Sequence, residues 1–265
     1  MLPPGQQASR ATIADADTAF TTVRPTNPFA ESIAPYQPPV TLTVLHVQVP
    51  REQREQSLRI WNHLREEVLD SQTALVLRDN GVRVGVGNER WWDSLRTVLA
   101  MVDGIRVHEP ATVNLMADFP LVLELDVEPR HQTLFSIDRE GRLSGDVWPA
   151  SRNVLRVSCA ADVQFSGHCR LRVAPAVVRR LEGSGWEPGA GGAWQLAPNR
   201  REQVFADAAF ALRMAPGEFM VIAAGENARV GGLLGQAFFT TAVDGRPYDS
   251  IFFLRPELKH DAERG

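Results

Sequence analysis

Residues 210–224 read Phe-Ala-Leu-Arg-Met-Ala-Pro-Gly-Glu-Phe-Met-Val-Ile-Ala-Ala. Phe210, Leu212 and Met214 alternate with Ala211 and Arg213, the period of a half-buried strand, and Ala215-Pro216-Gly217-Glu218 has the residues that turn a chain. Residues 219–224 are apolar without interruption and too few for a helix, so they read as a strand buried on both faces. Gly225, Gly231, Gly232 and Gly235 then punctuate a flexible connection. Residues 238–243 and 250–254 flank Asp244-Gly245-Arg246-Pro247, and Asp-Gly between two aromatic, β-branched runs signals a hairpin. The stretch carries no catalytic constellation, and its expected role is architectural.

Composition sets the bounds around it. With 265 residues, 44% of them hydrophobic, the chain can bury a sizeable core as one large domain or two ordinary ones. A formal charge of −4, with basic runs no longer than Arg179-Arg180 and Arg200-Arg201, gives no footprint for phosphate contacts, so no nucleic-acid partner is expected. No run approaches the roughly 18 apolar residues of a spanning helix, and no cationic, apolar signal peptide opens the sequence. Residues 1–38, rich in Pro, Ala, Thr, Ser and Gln, read as a disordered tether, either of the kind that follows a removed signal or lipid anchor or an ordinary tail.

Residues 39–110 read as a small α/β module. Leu42, Val44 and His46 alternate with Leu45 and Val47 up to Pro50, which makes a buried strand; His46, with no second ligand at metal spacing, is a core or hydrogen-bonded histidine. Leu58, Trp61, Leu64 and Val68 recur at three and four, which predicts an amphipathic helix over 52–69. Asp70 or Ser71 caps a second helix that ends at Asn80-Gly81, where Gly81 suits the left-handed position beyond a helix. A strand over 82–87 follows, then a third helix capped by Asn88 with Trp92, Leu95, Val98 or Leu99, and Val102 inside, and a return strand at 105–108. Gly81, Gly85 and Gly87 do not meet the dinucleotide spacing, so no nucleotide site is expected, and no other cofactor is implied.

Residues 111–257 are predominantly β in texture. Leu121, Leu123, Leu125 and Val127 alternate with Val122, Glu124, Asp126 and Glu128. The three acids share one side, but alternation already puts them on a solvated face, with no histidine or asparagine to complete a metal or acid–base set. Strands are expected at 133–138, 143–147, 154–165 and 169–173. Cys159 and Cys169 fall on buried faces of adjacent strands. A Ser166-Gly167-His168 turn sets Phe165 opposite Cys169 and leaves Cys159 about six residues, roughly 20 Å, along the ladder, against the ~7 Å that a disulfide allows. Two free buried thiols are expected. Residues 180–198, with five glycines, read as a long mobile loop carrying Trp186 and Trp194, which pack over a sheet edge or touch a partner. Residues 258–265 read as a polar tail. The expected fold class is α+β, a small N-terminal α/β unit followed by a predominantly antiparallel β domain.

Several of these segments resemble a known family. Leu212 to Ile222 with its Pro216-Gly217-Glu218 turn, Gly231-Gly232-Leu233, Leu234-Gly235 with Phe238 three residues later, and Ile251-Phe-Phe-Leu-Arg-Pro256 resemble the closing segments of the C-terminal domain of bacterial secretins. Cys169-Arg-Leu-Arg-Val-Ala-Pro175 is similar to a mid-domain strand that ends in proline, and residues 40–110 are similar to the ring-building α/β modules that precede that domain. The series Trp61, Leu69-Asp70, Asn80-Gly81 and Trp92 is similar to one in uncharacterised bacterial envelope proteins. Against the secretin pattern, no Val-Pro-x-Leu-Gly precedes Phe238, no long alternating strands suit a bilayer hairpin, and no amphipathic helix follows Pro256.

The resemblance implies a secretin-related component of the periplasm or outer membrane that is not itself a pore; with no signal peptide, the sequence leaves the cytoplasm open. The expected function is a non-catalytic structural or assembly role with a protein partner or self-association, Trp186 and Trp194 being the contact residues. One alternative is a hydrolase, although the chain has no Gly-x-Ser-x-Gly, His-Glu-x-x-His or Cys/His cluster and the fold would have to unite His108, His131 and Asp126. The other is a peptide- or small-ligand-binding module using a sheet edge or the loop of Trp186 and Trp194.

Overall fold

The computed structural model describes residues 40–115, 120–125, 128–188 and 193–258, with the side chains at 182, 184–188 and 195–200 excepted. The tether expected at 1–38, Asp126 and the tail beyond Leu258 lie outside the described residues. The strands are β1 (Val40–Pro50), β2 (Val82–Asn88), β3 (Arg106–Val107), β4 (Ala111–Leu115), β5 (Leu121–Glu124), β6 (Arg130–Ile137), β7 (Leu143–Ala161), β8 (Cys169–Pro188), β9 (Trp194–Val204), β10 (Phe210–Met214), β11 (Glu218–Ala224), β12 (Thr240–Val243) and β13 (Arg246–Leu258). The α-helices are short: α1 (Arg54–Ser57), α2 (Ser71–Asp79), α3 (Trp92–Ala100) and α4 (Leu234–Phe239). The fold is α+β, as the sequence indicates, with antiparallel strands in two sheets.

Sheet I runs β2-β11-β13-β1-β3, with β12 on β13 and β4 on β1; sheet II runs β10-β8-β7-β5, with β6 on β7 and β9 on β8. Sheet I draws strands from both sides of residue 110, since β1 pairs with β13 from Val40↔Leu258 to Pro50↔Tyr248 and β2 pairs with β11 from Glu218↔Asn88 to Ala224↔Val82. Its two faces belong to different cores. Leu42, Val44, Met220, Ile222, Phe252 and Leu254 pack with Leu155, Val157, Leu171, Val173, Leu212 and Met214 of sheet II. Leu45, Val47, Phe219, Val221, Ile251 and Phe253 pack with Ile60, Trp61, Leu95 and Leu99 from the helical segments. This division explains the unbroken apolar run of β11, whose alternate residues each bury against a separate layer. Each such side chain stabilises by about 1.5–3 kcal/mol relative to exposure.

Local signals set several boundaries where the sequence placed them. Asp70 caps α2 by accepting from the Thr73 N–H at 2.9 Å, Asn88 accepts from the Arg90 N–H ahead of α3, and Asp244 and Gly245 (φ 52° and 76°) make the two-residue turn joining Val243 to Arg246. Asn80-Gly81 does more than end α2. Asn80 is fully buried, and its Nδ2 donates to Val76 O at 2.8 Å and Ile137 O at 2.7 Å, while its Oδ1 accepts from the Ile137 N–H at 2.8 Å. One carboxamide thus replaces a strand neighbour for the last residue of β6. The Asn80 carbonyl also accepts from the Gly235 N–H at 2.8 Å, drawing α4 in. A Cβ at position 235 would lie 1.7 Å from the Gly81 carbonyl oxygen, so this approach requires glycine.

Elsewhere long-range pairing overrides local pattern. The helix expected over 52–69 is broken: a 3-10 turn, α1 and a 3-10 segment Leu58–His63 end at Leu64, whose ψ of 145° is extended. Arg65 then exchanges two backbone hydrogen bonds of 2.9 Å with Val86 on the edge of β2, satisfying groups that a continued helix would leave bare. The connection after β11 contains a 3-10 turn, Glu226–Arg229, and then α4, so Phe238 packs within a helix and the following strand starts at Thr240. β7 and β8, of 19 and 20 residues, are longer than any strand expected from the sequence. β7 also ends sooner at its far end, because the Asp162 N–H donates to His168 O at 2.8 Å and opens the turn there, leaving Val163 and Phe165 exposed. Ala161 therefore faces Cys169 and Cys159 faces Leu171, which reduces the offset between the two cysteines from six residues to two.

Candidate functional site

Within the segment expected as a mobile loop over 180–198, the described residues form a two-stranded ribbon. β8 pairs with β7 only from Cys169 to Arg179. Past that point its described strand partner is β9, which, after a register shift between Arg180 and Ser184, pairs from Ser184↔Pro198 to Pro188↔Trp194. The ribbon therefore projects beyond the shared body of sheet II. Its register sets Trp186 opposite Leu196 and Pro188 opposite Trp194. Residues two apart on a strand lie on the same side, so these four positions occupy one face. Trp194 is 66% exposed; the Trp186 side chain lies outside the description. Period-two spacing of Trp186 and Pro188, and of Trp194, Leu196 and Pro198, was the available signal for this ribbon, hidden by the density of glycines around it.

The other residues raised by the sequence do not converge. Glu124 is exposed and paired with Arg152 at 2.7 Å, Glu128 is exposed, and His131 is exposed on β6. His108 and His46 do meet, with rings stacked at 4.6 Å, and Phe252 stacks on His46 at 4.3 Å. His46 Nε2 lies 3.0 Å from Ser250 Oγ, the one serine–histidine contact in this row. Burial, and then the neighbouring His108, push the His46 pKa down to about 4, so the ring is neutral near pH 7. Among the described residues no carboxylate bonds this imidazole to orient it as a base. The pair is a cross-strand contact within an aromatic row that continues to Phe239, 6.3 Å from Phe252.

Buried ionisable groups have structural partners. Asp249 lies 3.4 Å from Arg51 and 3.6 Å from Arg54, tying the segment after β1 to β13; burial raises its pKa while both guanidiniums oppose the rise. The thiols of Cys159 and Cys169 are free and buried. The neighbouring Cys169 thiol, then burial, pushes the Cys159 thiol up, and the same neighbour interaction pulls Cys169 down. Among the described residues no three His, Cys, Asp or Glu side chains group to hold a metal ion, and no helix is long and apolar enough to cross a membrane. A scan against family models, a search of curated proteins and a search of solved structures each return no match.

Proposed function

We propose that this chain is a non-catalytic structural or assembly component of the bacterial envelope, secretin-related but not itself a pore, which engages a protein partner through the β8–β9 ribbon. The observation that carries the reading is the ribbon itself: a paired extension that brings Trp186, Pro188, Trp194 and Leu196 to one face, with Trp194 exposed at its end. Tryptophan on an ordered strand buries a large area against a partner while few torsions are frozen, which is why it recurs at interface anchors. The envelope location and the secretin relation rest on the resemblance of residues 212–256. Against a hydrolase, the Ser250–His46 pair is clamped in a stacked row and lacks an orienting carboxylate among the described residues.

Site-specific photo-crosslinking in the intact bacterium tests the proposal, with the photoreactive residue at 194 and, as control, at the exposed Glu140 of the β6–β7 turn. The expected result is a discrete adduct from position 194 in the envelope fraction. Equal adducts from both positions, none from 194, or recovery of the chain in the cytosol alone would overturn it.

A further inference from the structure

The backbone bridge between Arg65 and Val86 closes one stretch of the β2 edge, and beside it lies a cavity of about 360 Å³. Its polar lining comes from His63, Arg65, Asn88, Arg90 and Glu218, with Trp91 as a wall. The charges in it do not balance. Glu218, its one carboxylate, already accepts from Arg65 Nη2 at 2.6 Å and from the Ala215 N–H at 2.9 Å. Arg90 has no carboxylate partner among the described residues, and its guanidinium sits 5.5 Å from the centre of the Trp91 ring. Asn88 uses its oxygen on the Arg90 N–H, at 3.2 Å, which leaves its amide N–H₂ to donate. The His63 ring tilts against Trp91 at 5.7 Å, and Trp91 remains 42% exposed. The cavity therefore offers donors and one cation without a carboxylate partner among the described residues, beside a partly exposed indole ring, with its own acceptor already occupied.

We propose that this cavity binds a small molecule carrying an oxyanion, a carboxylate or a phosphate, with Arg90 as its charge partner and the planar body of the ligand against Trp91. The volume falls within the range of small-molecule sites. A guanidinium fork matches two oxygens of either anion. The walls are held from two directions, since the Glu89 N–H donates to Gly217 O at 2.8 Å and Glu218 closes the 215–218 turn. No residue of the site belongs to the ribbon, so the two proposals stand or fall separately.

Isothermal titration of the full chain with benzoate, phenyl phosphate and the neutral benzamide provides the test. The expected result is saturable 1:1 binding of at least one anion, benzamide weaker by about tenfold or more, and Arg90→Gln weakening the anion by about tenfold at an unchanged thermal midpoint. The preferred anion separates a carboxylate site from a phosphate site. Absence of saturable binding by both anions, equal binding of benzamide, or an Arg90→Gln protein with undiminished affinity would each overturn the proposal.

Discussion

Replacing Asn80 with alanine isolates the contribution of a single buried carboxamide. The substitution removes three hydrogen bonds of 2.7–2.8 Å and leaves the N–H and C=O of Ile137 facing an apolar void. Three net bonds at about 0.5–1.5 kcal/mol each, with a further penalty for the stranded Ile137 groups, predict a loss of about 3–5 kcal/mol, against a usual stability of roughly 5–15 kcal/mol. Asn80→Asp sharpens the argument. One carboxylate oxygen can still accept from the Ile137 N–H, but the other replaces Nδ2 and confronts the carbonyls of Val76 and Ile137. The folded state thus favours the protonated acid and raises its pKa above the unfolded value. Stability from that group is present below about pH 3.9 and is lost as pH rises through the folded pKa. Urea unfolding followed by tryptophan fluorescence, for wild type and both variants at pH 4 and 7, measures this. Asn80→Asp should lie nearer wild type at pH 4 than at pH 7. A loss below about 1 kcal/mol for Asn80→Ala, or an aspartate whose deficit does not change with pH, would refute the role assigned to Asn80.

The remaining predictions address other parts of the fold. Gly235→Ala, whose Cβ would fall 1.7 Å from the Gly81 oxygen, should displace α4 and lower the urea midpoint sharply, whereas Gly231→Ala, with open space around its Cβ, should be nearly silent. His46 is neutral in the folded state down to about pH 4 but protonates near 6.5 when unfolded, so stability should fall between pH 6.5 and 4 by up to about 3 kcal/mol; His46→Gln should flatten that part of the unfolding-versus-pH curve. Cys159 and Cys169 sit diagonally, about 7–8 Å apart at Cα by ladder geometry and beyond easy disulfide reach, so non-reducing peptide mapping after diamide treatment should recover both as thiols. Val221→Asp puts a carboxylate at a fully buried site among Phe253, Leu95 and Ile60, and should cost several kcal/mol and abolish the cooperative unfolding transition.

What the sequence disclosed follows the range of each signal. The strands at Phe210–Met214 and Glu218–Ala224, the caps at Asp70 and Asn88, the left-handed Gly81 and the Asp244-Gly245 turn are written within a few neighbouring residues, and all were legible. The break at Leu64 was not, because its cause is the β2 edge some twenty positions later. α4 was hidden for the same reason: Arg130 and Asn153, from sheet II, donate to the carbonyl of Ala237 and satisfy a helix end that composition alone reads as loop. Trp186 and Trp194 could be nominated as contact residues, but their common face required the pairing of β8 with β9. The charge imbalance beside Trp91 was equally invisible, since Glu218, which neutralises Arg65, lies 153 positions away.

The strand order of sheet I has a consequence for how the protein is made. β13 sits between β11 and β1, and Thr41 faces Glu257 at a sequence separation of 216. Closing a loop of that size adds an entropic cost that local pairing does not carry, and folds dominated by such contacts form slowly. As the chain emerges from the ribosome, β1 can find β4 and β2 can find β11, but the two halves have no common strand until the last thirteen described residues appear. Until then, Leu42, Val44, Met220 and Ile222 present apolar faces on half-sheets with open edges, a state that invites pairing with the wrong chain. Synthesis of β13 is thus the committing event, and a nonsense mutation at its start, at Arg246, removes the central strand of the sheet.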